Sequence, residues 1–363
     1  MGSLALYYTN NIFRLFIISL VFLSIPAQQI VSQEVSDSLS DRYPRPLFQN
    51  NDLIKITFSF NMSETLKDVG EERDYHDATF SYLDTDGNPV HFDIKIRTRG
   101  HFRRNPANCN FPPLRLDFSD SETKGTLFED QNKLKLVTHC QTKKKYYEQC
   151  LLKEYMVYRL YNIITEESYR VKLAEVTYTD TQGKMDSIVK YGFFLETAGQ
   201  MAARNGSEEI NIRNIHQEKT HRDKIMNLCV FQYMIGNTDW SVPGMHNIEL
   251  IRSDHLNPPV AVPYDFDWSG IVNSIYAYPA PQLGIESVRE RLFRGYCRSQ
   301  SEYQEAFEFF RTKKDEIYSF CENFTYLDEK QSKRVIRYIN DFYTIIDKPA
   351  LVNIEFYLKC RTD

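Results

Sequence analysis

The chain has 363 residues, 42% of them hydrophobic, 14% aromatic and 26% charged. That composition is globular and the length suits two domains or one large bilobal one. The formal net charge of -5 gives no electrostatic case for nucleic acid as a partner, and the local cluster Lys143, Lys144 and Lys145 reads as a solvated loop.

In chain order, Arg14 precedes the apolar run LFIISLVFLSI (Leu15 to Ile25), followed by Pro26 and Ala27. A basic flank, a short apolar core and a small residue afterwards read as a secretory signal peptide over residues 1–32. An uncleaved anchor is the alternative for the same run. Residues 33–50 are polar and aperiodic, a linker. No later stretch is apolar enough to span a bilayer. The mature chain is therefore expected to be exported, periplasmic or extracellular at the cell envelope, with no stable membrane span.

Residues 51–199 read as a sheet-rich N-terminal lobe. LIKITFSFNM (Leu53 to Met62) alternates apolar and polar residues, as a half-buried strand does. ATFSYLDTDGNPVHFDIKIRTRG carries two such runs around Asp84-Thr85-Asp86-Gly87-Asn88, the signature of a β-hairpin. PLRLDF and NKLKLVTH are further short strands. Residues 146–164 carry apolar side chains at helical spacing, and YRVKLAEVTYTD with DSIVKYGFFLET form another strand pair. Residues 200–363 read as a helical lobe containing two acidic loops, beginning with an amphipathic helix that stops at Gly236.

Seven cysteines lie beyond the signal segment. In an oxidising compartment some pair, and an odd count leaves at least one free or intermolecular. None stands in a CxxC pattern, so the spacing gives no zinc site. Cys229 lies inside an apolar helical pattern and reads as a small buried hydrophobe.

The chemistry concentrates in IGNTDWSVPGMHNIELI (Ile235 to Ile251) and VPYDFDWSG (Val262 to Gly270). Asn237 and Asp239 follow a helix end, and the chain turns at Pro243-Gly244 before Asn247 enters a strand. A second strand returns and ends with Asp265 and Asp267. If the two strands pair, Asn247 and one of these aspartates approach Asp239. A carboxylate and an amide oxygen open to solvent suit Mg²⁺, which takes few protein ligands and leaves the rest to phosphate and water. A separate carboxylate then orients or deprotonates an attacking hydroxyl, which is what phosphoryl transfer requires. Taken singly, Asn237 and Asp239 are also ordinary turn residues. His246 reads as a structural hydrogen-bonding group. Arg97, Arg99, Arg103 and Arg104 read either as contacts for phosphate or an acidic substrate or as exposed strand positions.

GNTDW…HN…L followed by PYDFDWSG resembles the catalytic core of the spore-coat-protein-H-like (CotH) kinases, an atypical protein-kinase-like family. KIRTRGHFRR…NFPPLRLDF, NKLKLVTHCQTKKKYYEQCLLKEYMVYRLYN and VKYGFFLET resemble other segments of that family in the same order, over roughly residues 90 to 275. The resemblance implies an α+β, two-lobed protein-kinase-like fold with a sheet-rich N-lobe holding one main helix and a helical C-lobe. It implies ATP with Mg²⁺ (or Mn²⁺) as cofactors and transfer of the γ-phosphoryl group to a hydroxyl of an exported or envelope protein. Asp239 would be the catalytic aspartate, with Asn247 and Asp265 as metal ligands. Asp267, two residues on and hence on the same strand face, would assist. Glu196 would lie at the adenine-side connection. Arg115 stands where the family tends to have lysine, and no glycine-rich phosphate loop is visible, so Lys135 with Glu154 is a candidate clamping pair. A pseudokinase serving as an envelope binding or assembly module is the alternative. Paired carboxylates beside Trp240 and Trp268 also leave glycoside hydrolysis open.

Overall fold

The computed structural model describes residues 44–255 and 257–362; the signal-peptide reading and most of the 33–50 linker lie outside the described residues. The chain is followed here as β1 (Ile54–Phe60), β2 (His76–Leu83), β3 (Pro89–Thr98), β4 (Leu114–Asp117), β5 (Lys133–Val137), α1 (Lys145–Ile164), β6 (Val171–Asp180), β7 (Ile188–Leu195), α2 (Ala198–Arg204) and β8 (Glu208–Ile210). Then come α3 (Arg222–Ile235), β9 (Ile248–Arg252), β10 (Val260–Pro263), α4 (Gln300–Thr312), α5 (Lys314–Asn323) and α6 (Glu329–Ile346).

Strands β1 to β7 close into a barrel in the order β1-β2-β3-β4-β5-β7-β6. This corrects the two-lobed protein-kinase-like fold expected from the sequence. The reason lies in β1, whose Ile54, Ile56, Phe58 and Phe60 all point inward. The strand pairs antiparallel with β2, setting Phe58 opposite Phe80. It also pairs parallel with β6, setting Phe58 opposite Tyr178. That second ladder joins the two ends of the sheet and leaves no free edge among the seven strands.

The barrel interior is aromatic. Phe80 packs against Phe128 at 4.8 Å, Phe58 at 5.0 Å, Phe118 at 5.6 Å and Phe92 at 5.8 Å, mostly edge to face. Burying each such ring is worth about 1.5–3 kcal/mol. The hairpin between β2 and β3 turns as its sequence predicts. The Asp84 carboxylate accepts from the backbone N–H groups of Asp86 (2.9 Å) and Asn88 (2.8 Å), and Gly87 takes the left-handed conformation. Leu47 and Phe48, in a helical turn ahead of β1, are buried against this core.

A second core lies outside the barrel wall, where α1 packs against β6 and β7 and meets α3 and the later helices. Helix α1 is therefore buried on almost every side, so that even Lys153 and Glu154 are inside. Lys153 meets this by donating to the carbonyl of Val272. The small sheet β10-β9-β8 sits in the same core.

Helix α3 stops where the sequence places its end. Gly236 adopts φ 67°, and the N–H of Asn237 returns to the carbonyl of Gln232 at 2.8 Å, a glycine C-terminal cap. A Cβ at Gly236 would lie 2.0 Å from the Tyr338 hydroxyl, so no side chain fits. The backbone N–H of Gly270 donates to the carbonyl of Gly236 at 3.0 Å, and that of Ile271 to Ile235 at 3.0 Å. The second acidic segment is thus stitched to the end of α3, where the first begins.

Candidate functional site

Asp239 is held from three sides. Its N–H donates to Asn237 Oδ1 at 3.0 Å, one carboxylate oxygen lies 2.8 Å from His246 Nε2, and the other accepts from Asn247 Nδ2 at 3.0 Å. The Pro-Gly turn makes this possible. Ser241 and His246 exchange both backbone hydrogen bonds, closing a short loop that brings His246 and Asn247 back to Asp239. Arg294 fixes the loop from behind by donating to the carbonyls of Thr238 (2.6 Å) and Trp240 (2.5 Å). The Asp239 side chain keeps 34% of its surface exposed, so it is oriented yet reachable.

Strands β9 and β10 pair antiparallel, Ile248 opposite Pro263, and the N–H of Tyr264 donates to the carbonyl of Asn247 at 3.1 Å. The expected hairpin is therefore present, and Asn247 and Asp265 flank the same end of it. Both have left-handed backbones, φ 52° and 59°. Asn and Asp are the side chains that tolerate this region best, and two such residues at one hairpin end mark a site where strain is retained. Asp265 is pinned by its N–H donating to the Tyr158 hydroxyl at 2.8 Å, while its carboxylate is 45% exposed. Because Asn247 Nδ2 donates to Asp239, its Oδ1 has no partner among the described residues. One free amide oxygen and one accessible carboxylate at adjoining positions are a donor set that fits Mg²⁺ or Mn²⁺ held largely by water and phosphate. Among the described residues, no three His, Cys, Asp or Glu side chains converge as a metal group of their own.

Asp267 does not share that face. The ladder ends at Pro263 and the left-handed turn at Asp265 redirects the chain, so the expected strand continuation fails. Asp267 is buried instead, accepting from the Tyr276 hydroxyl at 2.8 Å and lying 3.5 Å from Arg103 Nε. Burial and the neighbouring Asp265 charge push its carboxyl well above the usual range.

The expected Lys135–Glu154 pair is also corrected. Glu154, buried on α1, meets Arg103 at 3.3 Å. Arg103, 11% exposed, also lies 4.0 Å from Asp265. Burial, partly opposed by Arg103, pushes Glu154 up to about 7. Lys135 lies instead over the Tyr264 ring, 5.8 Å from its centre. It belongs to a row on the outer barrel wall, since Arg97, Arg115 and Lys135 are direct cross-strand partners. Their neighbours Ile96, Leu114, Leu116, Leu134 and Leu136 fill the interior, which is why the three cations face outward. Arg99 follows Arg97 by two residues; burial lowers its guanidinium, and the charge of Asp265 opposes part of that shift. Arg99 and Arg115 have no ion-pair partner among the described residues. Desolvation, together with Arg99 and Arg115, lowers Lys135 to about 8.

Glu196 stands apart. It is buried, ion-paired with Arg204 at 3.1 Å, and accepts from the Arg170 N–H at 2.9 Å, so its carboxylate is used inside the protein. Arg103 and Tyr276 carry contacts that sequence reasoning missed. The density of arginine in RTRGHFRR was the only signal, and nothing in it names Glu154 as partner. No family model, no curated protein and no solved structure matches the chain.

Proposed function

We propose that the protein is an exported phosphotransferase that uses Mg²⁺ (or Mn²⁺) with ATP and delivers the γ-phosphoryl group to a hydroxyl of an exported or envelope protein. One observation carries this reading. The exposed end of the β9–β10 hairpin presents two metal-suited oxygens, Asn247 Oδ1 and Asp265, beside Arg99 and Lys135 of a barrel-wall row that carries more cations than anions. Like charges in direct cross-strand register are unfavourable on their own, and a polyphosphate neutralises them.

The bound metal and nucleotide supply charge neutralisation and the phosphoryl group. Asn247 and Asp265 would hold the metal, and Arg99, Arg115 and Lys135 would receive phosphate oxygens. Asp239, fixed by His246 and Asn247 and open to solvent, orients the acceptor hydroxyl and takes its proton. The order of segments that resemble those of the CotH kinases supports the same activity, while the barrel carries no argument for it. Two disulfides, Cys109–Cys140 and Cys297–Cys360, support an oxidising compartment.

A non-catalytic envelope module is the second reading, favoured by the partner of Glu154 being an arginine and not a lysine. Calorimetry of Mg-ATP binding separates the two, with Asp239→Ala and Asp265→Ala alongside the wild type. The kinase reading expects magnesium-dependent binding that Asp265→Ala removes and Asp239→Ala keeps, with transfer lost in both. Well-folded wild type that binds no Mg-ATP would refute it.

A further inference from the structure

The loop between β3 and β4, residues 99–113, contributes no regular element, yet it supplies Arg99 and Arg103 to the site. It is anchored at two places: buried Arg104 donates to the carbonyl of Gly70 at 2.8 Å and pairs with Glu71 at 2.7 Å, and a second anchor lies towards the loop's far end. Cys109 is bonded to Cys140 just beyond β5, and both are buried. The N–H of Phe111 donates to the carbonyl of Cys140 at 2.9 Å, and Gln141 Nε2 donates to the carbonyl of Asn108 at 2.7 Å. Asn108 Nδ2 in turn donates to the carbonyl of Phe102 at 2.9 Å, which passes the anchor to the residue beside Arg103. Phe102 then stands edge-on to Trp268, the residue after Asp267, at 5.6 Å and packs at 5.1 Å on Tyr276, whose hydroxyl donates to Asp267.

Resting on the reading above, we propose that Arg103 is the positioning residue of this site and that the Cys109–Cys140 disulfide is its strut. One guanidinium serves carboxylates from two elements, Glu154 on α1 and Asp265 and Asp267 after β10. It thereby fixes the distance between helix and metal segment. Removing a buried ion-pair member leaves the others uncompensated, so the segment moves until water reaches Asp267 and Glu154. Asp265 moves with it. Arg103 touches neither reacting group; it acts through Asp265.

The test compares Arg103→Met and Arg103→Lys with two paired substitutions, Cys109→Ser/Cys140→Ser and Cys297→Ser/Cys360→Ser. Two readouts are taken: Mg-ATP affinity by calorimetry, and Trp268 fluorescence in a Trp240→Phe background. The expected result is an affinity at least tenfold weaker in Arg103→Met, a smaller loss in Arg103→Lys, and a red-shifted Trp268 emission in Arg103→Met. Loss of the Cys109–Cys140 pair weakens binding at least threefold with the same spectral change, whereas loss of the Cys297–Cys360 pair alters neither. If Arg103→Met does not fold, the Cys109–Cys140 variant decides. Unchanged Trp268 emission overturns the proposal whatever the nucleotide does. So does unchanged affinity beside a shifted emission, or an equal loss from both disulfide pairs. A wild type that binds no Mg-ATP defeats the phosphotransferase reading, and the Trp268 signal then decides by itself whether Arg103 fixes the segment.

Discussion

Replacing Lys135 by methionine keeps most of the apolar stem and removes the charge. The lysine sits on the barrel wall with Arg115 as its direct cross-strand neighbour and Arg99 close by, and burial plus these two cations lower it from 10.5 to about 8. A shift of that size corresponds to about 3 kcal/mol of native-state cost, and contact of the ammonium with water reduces it to about 1–2 kcal/mol. Lys135→Met is therefore expected to be more stable than wild type at pH 7 by about 1–2 kcal/mol, a rise of a few degrees in Tm. The sign with pH follows from linkage. The native lysine binds fewer protons than the unfolded one between about 8 and 10.5, so wild-type stability gains on the variant as pH rises through that window. Between pH 7 and 9 the advantage of the variant should shrink by about 1 kcal/mol. Thermal melts at both pH values measure this, and calorimetry should show weaker Mg-ATP binding by the same variant. A destabilised Lys135→Met at pH 7, or an advantage that does not change with pH, would refute the reasoning.

Two further outcomes are expected. Gly236→Ala combines a left-handed φ of 67° with a Cβ 2.0 Å from the Tyr338 hydroxyl, so it should lose about 2–4 kcal/mol in denaturant titration. A loss under 1 kcal/mol would mean that the cap and Tyr338 yield easily. Glu196→Gln breaks the buried pair with Arg204 and should cost about 3–5 kcal/mol while leaving Mg-ATP affinity per folded molecule unchanged. A selective loss of affinity would return Glu196 to the nucleotide site.

The strands were legible because each alternates on its own. Ile54, Ile56, Phe58 and Phe60 show their buried face without knowledge of any partner. The closure was not, because alternation names a face and never a neighbour. The parallel β1–β6 ladder joins segments more than a hundred residues apart with no turn between them. The hairpin at Asn247 was legible for the opposite reason, since its two strands are close in sequence. Asp267 was misplaced because a period of two was carried past Pro263 into a turn. The Arg103–Glu154 pair was hidden by its separation of 51 residues and by an irregular loop that has no period to read. Cysteine parity required at least one free thiol, and the fold leaves three, Cys150, Cys229 and Cys321, all buried. Cys229 is the one whose apolar helical surroundings announced it.

The parallel ladder that closes the barrel also sets an order of events for a chain that emerges from its N-terminus. β1 finds β2 within a short hairpin-like distance, yet its other edge has no partner until β6 has been made. During that interval an apolar strand with one open edge, rich in phenylalanine and isoleucine, is a template for any neighbouring chain. Long-range closure of this kind is slow. Yield in refolding or overexpression should therefore depend on chain concentration and on how soon β6 arrives, far more than on the stability of the finished barrel.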